Sequence, residues 1–239
     1  MKRGMLRKLL CTCVVTAAAF AAATISASAC TTIYVGGDLN EEGTPFVART
    51  EDYGSDYNKL WFISESGNWK QGDHYVGCPA YGPFEWDFTH DSYRFTYFTN
   101  DIYYDGTCPE CGKKADHYSY TEFGTNEKGV SVSATETLYG NEKVTEADPY
   151  RDAEWAEANK SERTGIEETD IPTIILAGAS SAREGVKLLL DIYENYGCVA
   201  ASGVFVCDKD EVWYVENCSG TQYVAIKLNN NMIFLEPNM

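Results

Sequence analysis

The chain has 239 residues, 36 of them acidic against 19 basic, for a formal charge of −17. A field of that sign repels phosphate-rich surfaces, which disfavours nucleic acid and anionic lipid as partners. With 44% apolar and 13% aromatic residues the chain can bury a full core, which excludes a disordered polypeptide and suits one sheet-rich domain.

Residues 1–29 read as a signal peptide. Lys2, Arg3, Arg7 and Lys8 precede an apolar run from Leu9 to Ala23, about 15 residues against the roughly 20 that a membrane-spanning helix needs. Ala27-Ser28-Ala29 then matches a small-x-small cleavage site. The expected product is exported, secreted or held at the cell surface, with no membrane association after signal removal. Its single domain runs over 30–239 and starts at Cys30. Loss of four basic residues takes its charge from −17 to −21.

Thr31 to Val35 is β-branched and aromatic, Gly36-Gly37 stops it, and Thr44 to Ala48 repeats the pattern after a turn. This predicts a hairpin. Further strands are predicted at Leu60 to Ser64, Tyr93 to Phe98, Tyr118 to Phe123 and Val130 to Thr135. Gly72 to Asp91 and Asp101 to Asp116 lack a period and read as surface excursions, while Asn141 to Asp170 is acidic with weak helical character. A short helix is expected at Ile171 to Ala177, with Pro172 in its first turn. Ala182 to Tyr196 is the clearest helix, with Val186, Leu189, Leu190 and Tyr193 on one face, a Ser181/Glu184 capping box, and Gly197 to end it. Gly203 to Cys207, Val212 to Glu216, Gln222 to Lys227 and Met232 to Leu235 then read as a four-stranded meander.

Of nine cysteines, Cys11 and Cys13 leave with the signal peptide, and the remaining odd number implies a free thiol in an exported chain. Cys30 is the candidate. A cysteine at a mature N-terminus joins a thiol, reference pKa about 8.5, to an α-amine, reference pKa about 7.7 to 8, so the amine can take the thiol proton. Such a site needs a cation beside the thiolate and an acceptor for the amine. Arg49 and Asp52, in "ARTEDYG", follow the second strand of the hairpin that Cys30 begins and supply both. The three histidines, His74, His90 and His117, all fall in loop-like stretches. Cys108-Pro109-Glu110-Cys111 has no second C-x-x-C or H-x-x-x-H, which favours a loop disulfide over zinc. Cys198, Cys207 and Cys218 are expected to be paired or buried.

The segments "CTTIYVGGDLNEEGTPFVARTEDYG", "GTNEKGVSVSATET", "SSAREGVKLLLDIYENYG" and "VCDKDEVWYVEN" together resemble the dipeptidase A-type cysteine peptidases of the N-terminal-nucleophile hydrolases. Bile-salt hydrolases and penicillin V acylases are more distant relatives of that group. The resemblance implies an α+β fold, a four-layer αββα sandwich, and hydrolysis of a small peptide by Cys30 with Arg49 and Asp52 as supports. It implies no metal and no cofactor. Asn238 falls where the acylases place an oxyanion asparagine, and Asn126 lies in the shared "NEKG" turn. The resemblance also implies strands beyond Met239, so the chain is expected to be C-terminally incomplete. An acylase acting on non-peptide amides and a lipid-anchored, non-catalytic surface protein are the alternatives, and homo-oligomerisation is compatible with the sequence.

Overall fold

The computed structural model describes residues 30–51, 58–77, 84–100, 121–137 and 139–237. Residues 1–29, read above as a signal peptide, and Cys78, Cys108, Cys111 and His117 lie outside them.

The run after Cys30 forms β1 (Thr31–Val35), and its partner β2 (Phe46–Thr50) lies two residues later than the sequence pattern suggests. The two are antiparallel, with Thr32 opposite Arg49, and this register is what brings Arg49 inside. The chain continues through β3 (Lys59–Ser64), the small β4 (His74–Val76) and β5 (Glu85–Asp87) pair, and β6 (Phe95–Asn100). β7 (Phe123–Asn126) and β8 (Ser131–Glu136) form the next hairpin. Of the strand predicted over Tyr118 to Phe123, the first three residues lie outside the described residues, and β7 begins only at its last residue.

Two short helices, α1 (Glu142–Ala147) and α2 (Ala153–Asn159), account for the weak helical signal of the acidic stretch. Asn141 and Asp152 start them by accepting hydrogen bonds from first-turn backbone N–H groups. α3 (Ile171–Gly178) is buried from Ile171 to Ala177, as a helix apolar all round must be. α4 (Ala182–Asn195) is amphipathic, with Val186, Leu189 and Tyr193 buried and Leu190 partly so. Ser181 Oγ accepts from Glu184 N–H at 3.2 Å, but the Glu184 carboxylate returns to Ser180 N–H at 2.8 Å, so the expected box is displaced by one residue. Gly197, at φ +77°, ends α4 in a conformation that a side chain would strain.

β9 (Ser202–Cys207), β10 (Val212–Asn217) and β11 (Tyr223–Lys227) follow as a meander. The fourth strand, β12 (Ile233–Pro237), does not extend it. It crosses over and pairs with β1, with Thr32 opposite Glu236. The reason is burial: Phe234 of β12 packs against Tyr214 at 4.8 Å and Phe205 at 6.0 Å between centroids, which it can do only from a second sheet facing the first.

The result is a seven-stranded antiparallel sheet, β11-β10-β9-β8-β7-β6-β3, and a three-stranded sheet, β12-β1-β2. On one face of the large sheet α3 packs on β7 and β8, and α4 on β9, β10 and β11. Each fully buried side chain there, such as Ile174, Ile175 and Leu189, contributes about 2 kcal/mol. On the other face Tyr34 and Phe234 of the small sheet meet Phe205 and Tyr214. These are the α, β and β layers of the expected sandwich. The outer face of the small sheet carries Phe46, Ile233 and Leu235, all exposed, and no described helix covers it.

Asn126, in the "NEKG" turn, is structural. Its Nδ2 donates to the carbonyls of Leu176 at 2.9 Å and Ala179 at 2.8 Å, and its Oδ1 accepts from Lys128 and Val130 N–H, each at 3.0 Å. One buried amide thus ties the end of α3 to the β7–β8 turn. Gly124 lets α3 approach, because a Cβ there would lie 2.8 Å from Leu176 Cδ1. Removal of the amide leaves buried donors and acceptors unpaired. Asn126→Ala is therefore expected to cost on the order of 3 kcal/mol in urea denaturation; a loss below about 1 kcal/mol would show that the tie is dispensable.

Candidate active site

Side chains alternate along a strand, so Cys30, Thr32 and Tyr34 share the inward face of the β1 segment, and Val47 and Arg49 share that of β2. Cys30 stands immediately before β1, partly exposed. Arg49 reaches from the small sheet to the large one. Its Nη1 donates to the backbone carbonyls of Ala134 at 2.7 Å and Glu122 at 3.1 Å, and its Nη2 lies 4.0 Å from Cys30 Sγ. A guanidinium held by two carbonyls cannot swing away, so a fixed positive charge faces the sulfur. That arrangement can offset negative charge that gathers on the sulfur during attack.

Around this pair lie residues that the sequence did not single out. Glu51, next along the chain from β2, and the buried Glu122 both form ion pairs with Lys59. Glu122 is pushed up to about 7 by burial, reinforced by the neighbouring Glu51, while Lys59 opposes the rise. Across the small sheet from Arg49, beyond Thr32, Glu236 is buried and accepts a 2.8 Å hydrogen bond from Thr135 Oγ1. Glu236 stands at an inward position of β12, while Glu51 and Glu122 flank β2 and β7 and Lys59 begins β3, so their grouping is detectable only with the strand pairing in hand.

Of the site residues inferred from sequence, Cys30 and Arg49 come together. Asp52 and Asn238 lie outside the described residues. His74 pairs with Asp87 on β4 and β5, and His90 Nε2 sits 2.8 Å from the Gly178 carbonyl at the end of α3, so neither serves Cys30. Cys198, Cys207 and Cys218 are unpaired, which corrects the pairing alternative. Burial drives their thiols upward, Cys207 to about 11, as befits inert packing groups. Among the described residues no cluster of three or more His, Cys, Asp or Glu side chains is arranged to hold a metal ion.

A cavity of about 390 Å³ lies beside Arg49 between the sheets, lined by Val47 and Arg49 of the small sheet and by Phe123, Ser133, Phe205 and Cys207 among others of the large one.

The family model for peptidase family C69 matches residues 29–239. A probable dipeptidase of Salmonella dublin is 33% identical over 214 residues, covering 88% of this chain and 43% of that protein. A probable dipeptidase B of Streptococcus pyogenes serotype M3 is 32% identical over 210 residues, covering 88% and 37%. The chain therefore spans about two fifths of the length of these relatives. Penicillin V acylase from Agrobacterium tumefaciens superposes with a TM-score of 0.50 at 15% identity, over 86% of this chain and 51% of the acylase. The likeness is one of fold, that of the N-terminal-nucleophile hydrolases, as the sequence motifs implied.

Glu236 gives the site a titration signature. Its carboxyl is raised to about 7, above the ordinary 4.5, chiefly by burial. The folded state then holds a proton that the unfolded state has lost between these values, so stability falls as pH rises from about 4.5 to about 7 and is level above. Glu236→Gln removes the ionisation. The variant is expected to gain stability relative to the parent as pH climbs through that window, with the advantage largest at pH 8 and gone near 4.5. Denaturation midpoints at four pH values measure this, and a constant offset would contradict it.

Proposed function

We propose that this chain, which belongs to peptidase family C69, hydrolyses small peptides, dipeptides first among them, with Cys30 as its nucleophile. The observation that carries the reading is the guanidinium of Arg49, pinned by two carbonyls of the opposite sheet and aimed at the Cys30 sulfur. The names of the relatives support the substrate class.

Signal removal after Ala29 would free the Cys30 amine, and the mechanism follows from it. The sulfur attacks the carbonyl carbon of the substrate's N-terminal residue, with its proton passing to the Cys30 amine. The amide C–N bond breaks, and the departing amine takes that proton. A thioester remains. Water attacks it, gives a proton to the same amine, and the thiolate leaves. Arg49 offsets the negative charge on sulfur at both ends of the cycle. Asp52 is assigned to hold the amine and Asn238 to donate to the oxyanion, each by its motif. Export through the signal peptide belongs to the same proposal, because without cleavage the amine is an amide and cannot act as base.

Mass and N-terminal sequencing of the secreted protein test the premise: an unmodified Cys30 terminus is expected, and an acylated one would favour the lipid-anchored alternative. Cys30→Ser should lower kcat at least about a hundredfold while Cys218→Ser stays within about threefold. Activity should fall on the acid side of one ionisation near the reference amine range of about 7.7 to 8. A flat profile from pH 5 to 8, or loss of activity to a chelator with Cys30→Ser still active, would sink the mechanism.

A further inference from the structure

The inter-sheet cavity and the thiol share one residue. Arg49 Nη2 lies 4.0 Å from Cys30 Sγ, and Arg49 also lines the cavity of about 390 Å³ together with Val47, Phe123 and Phe205. Its lining is predominantly apolar, and its size is at the lower end of the range for small-ligand sites, about 300 to 1,000 Å³.

Attack on a dipeptide decides which part of the substrate can reach it. The atom bonded to sulfur in the acyl-enzyme is the carbonyl carbon of the N-terminal residue, so that residue's α-carbon is one bond from the reacting centre and its side chain starts two bonds away. The departing residue leaves from the other side of the carbonyl. We infer that this cavity is the specificity pocket for the N-terminal side chain of the peptide, and that it selects large apolar side chains. This deepens the peptidase reading and rests on it.

Three features of the walls support the choice. Phe123 and Phe205 present ring surface from neighbouring parts of one sheet, and a phenyl or isobutyl group between them would be removed from water on both sides. No described carboxylate lines the cavity, so a basic side chain would enter without a counter-ion, and an acidic one would have to draw Arg49 from the Cys30 sulfur and the Ala134 and Glu122 carbonyls. Ser133 offers only a small side chain on the large-sheet side, which leaves the depth open.

The test compares ratios within one protein. The purified protein is assayed on Phe-Gly, Leu-Gly, Ala-Gly, Asp-Gly and Gly-Phe, because a pocket discriminates apolar groups by about 10- to 200-fold per group removed. Phe-Gly and Leu-Gly are expected to exceed Ala-Gly and Asp-Gly at least about tenfold in kcat/KM, and Phe-Gly to exceed Gly-Phe. Ser133→Leu, which fills the cavity, should collapse the Phe-Gly to Ala-Gly ratio toward one, whatever it does to overall rate. Calorimetric binding of the same peptides to Cys30→Ala separates this inference from the reading beneath it. If no peptide is turned over but Phe-Gly binds at least tenfold tighter than Asp-Gly, the pocket stands and the chemistry falls. Equal kcat/KM across the panel, equal binding to Cys30→Ala, or an unchanged ratio in Ser133→Leu overturns the pocket.

Discussion

Arg49 is the interaction on which the site depends. A guanidinium between two sheets loses water on several sides, and the structure answers with two backbone carbonyls from the facing sheet and a sulfur from its own. Both carbonyls belong to the β7–β8 region, so the charge is anchored to the wall opposite the strand that carries it. The two sheets are thereby fastened at the end where Cys30 lies. Lysine could not do this, since one ammonium lacks the planar fork that points in two directions at once.

The anchoring wall is itself held from behind. β7 and β8 form the middle of the large sheet, and α3 presses on their far face, with the Asn126 amide locking the helix end to their turn. Layers on both faces therefore converge on the short stretch that supplies the Arg49 acceptors. Rigid strands hold a charge more closely than loops can, and a thiolate needs the charge to be fixed before substrate arrives. The same wall continues into the inter-sheet cavity through Phe123, so the position of the thiol and the shape of the space beside it share one support.

The thiols divide along the same lines. Cys198 is buried in a polar knot with Asn217, and Cys207 sits near the Ser131 carbonyl, each in surroundings that resist ionisation. Cys30 alone among the described cysteines stands, partly exposed, beside a cation. Glu51, within electrostatic reach of Arg49, and Glu122 both pair with Lys59, which offsets their negative charge on this side of the site.

Local chemistry was enough to read much of this from the chain. The hairpin after Cys30, the capped helix ending at Gly197 and the thiol with its arginine are written in short-range patterns: β-branched runs, a cap residue, a motif of a few residues. The seven-stranded order, the pairing of β12 with β1 and the ring of Glu51, Lys59, Glu122 and Glu236 are not, because each joins residues far apart whose relation is set by which faces can be buried together. The sequence read Met232 to Leu235 as one more strand of a meander, since spacing along the chain carries no record of which sheet a strand joins. Only the packing of Phe234 on Phe205 and Tyr214 sent it to the second sheet. The candidate thiol could be named from the sequence, but the wall that holds the cation beside it arose from two sheets closing over an apolar interior.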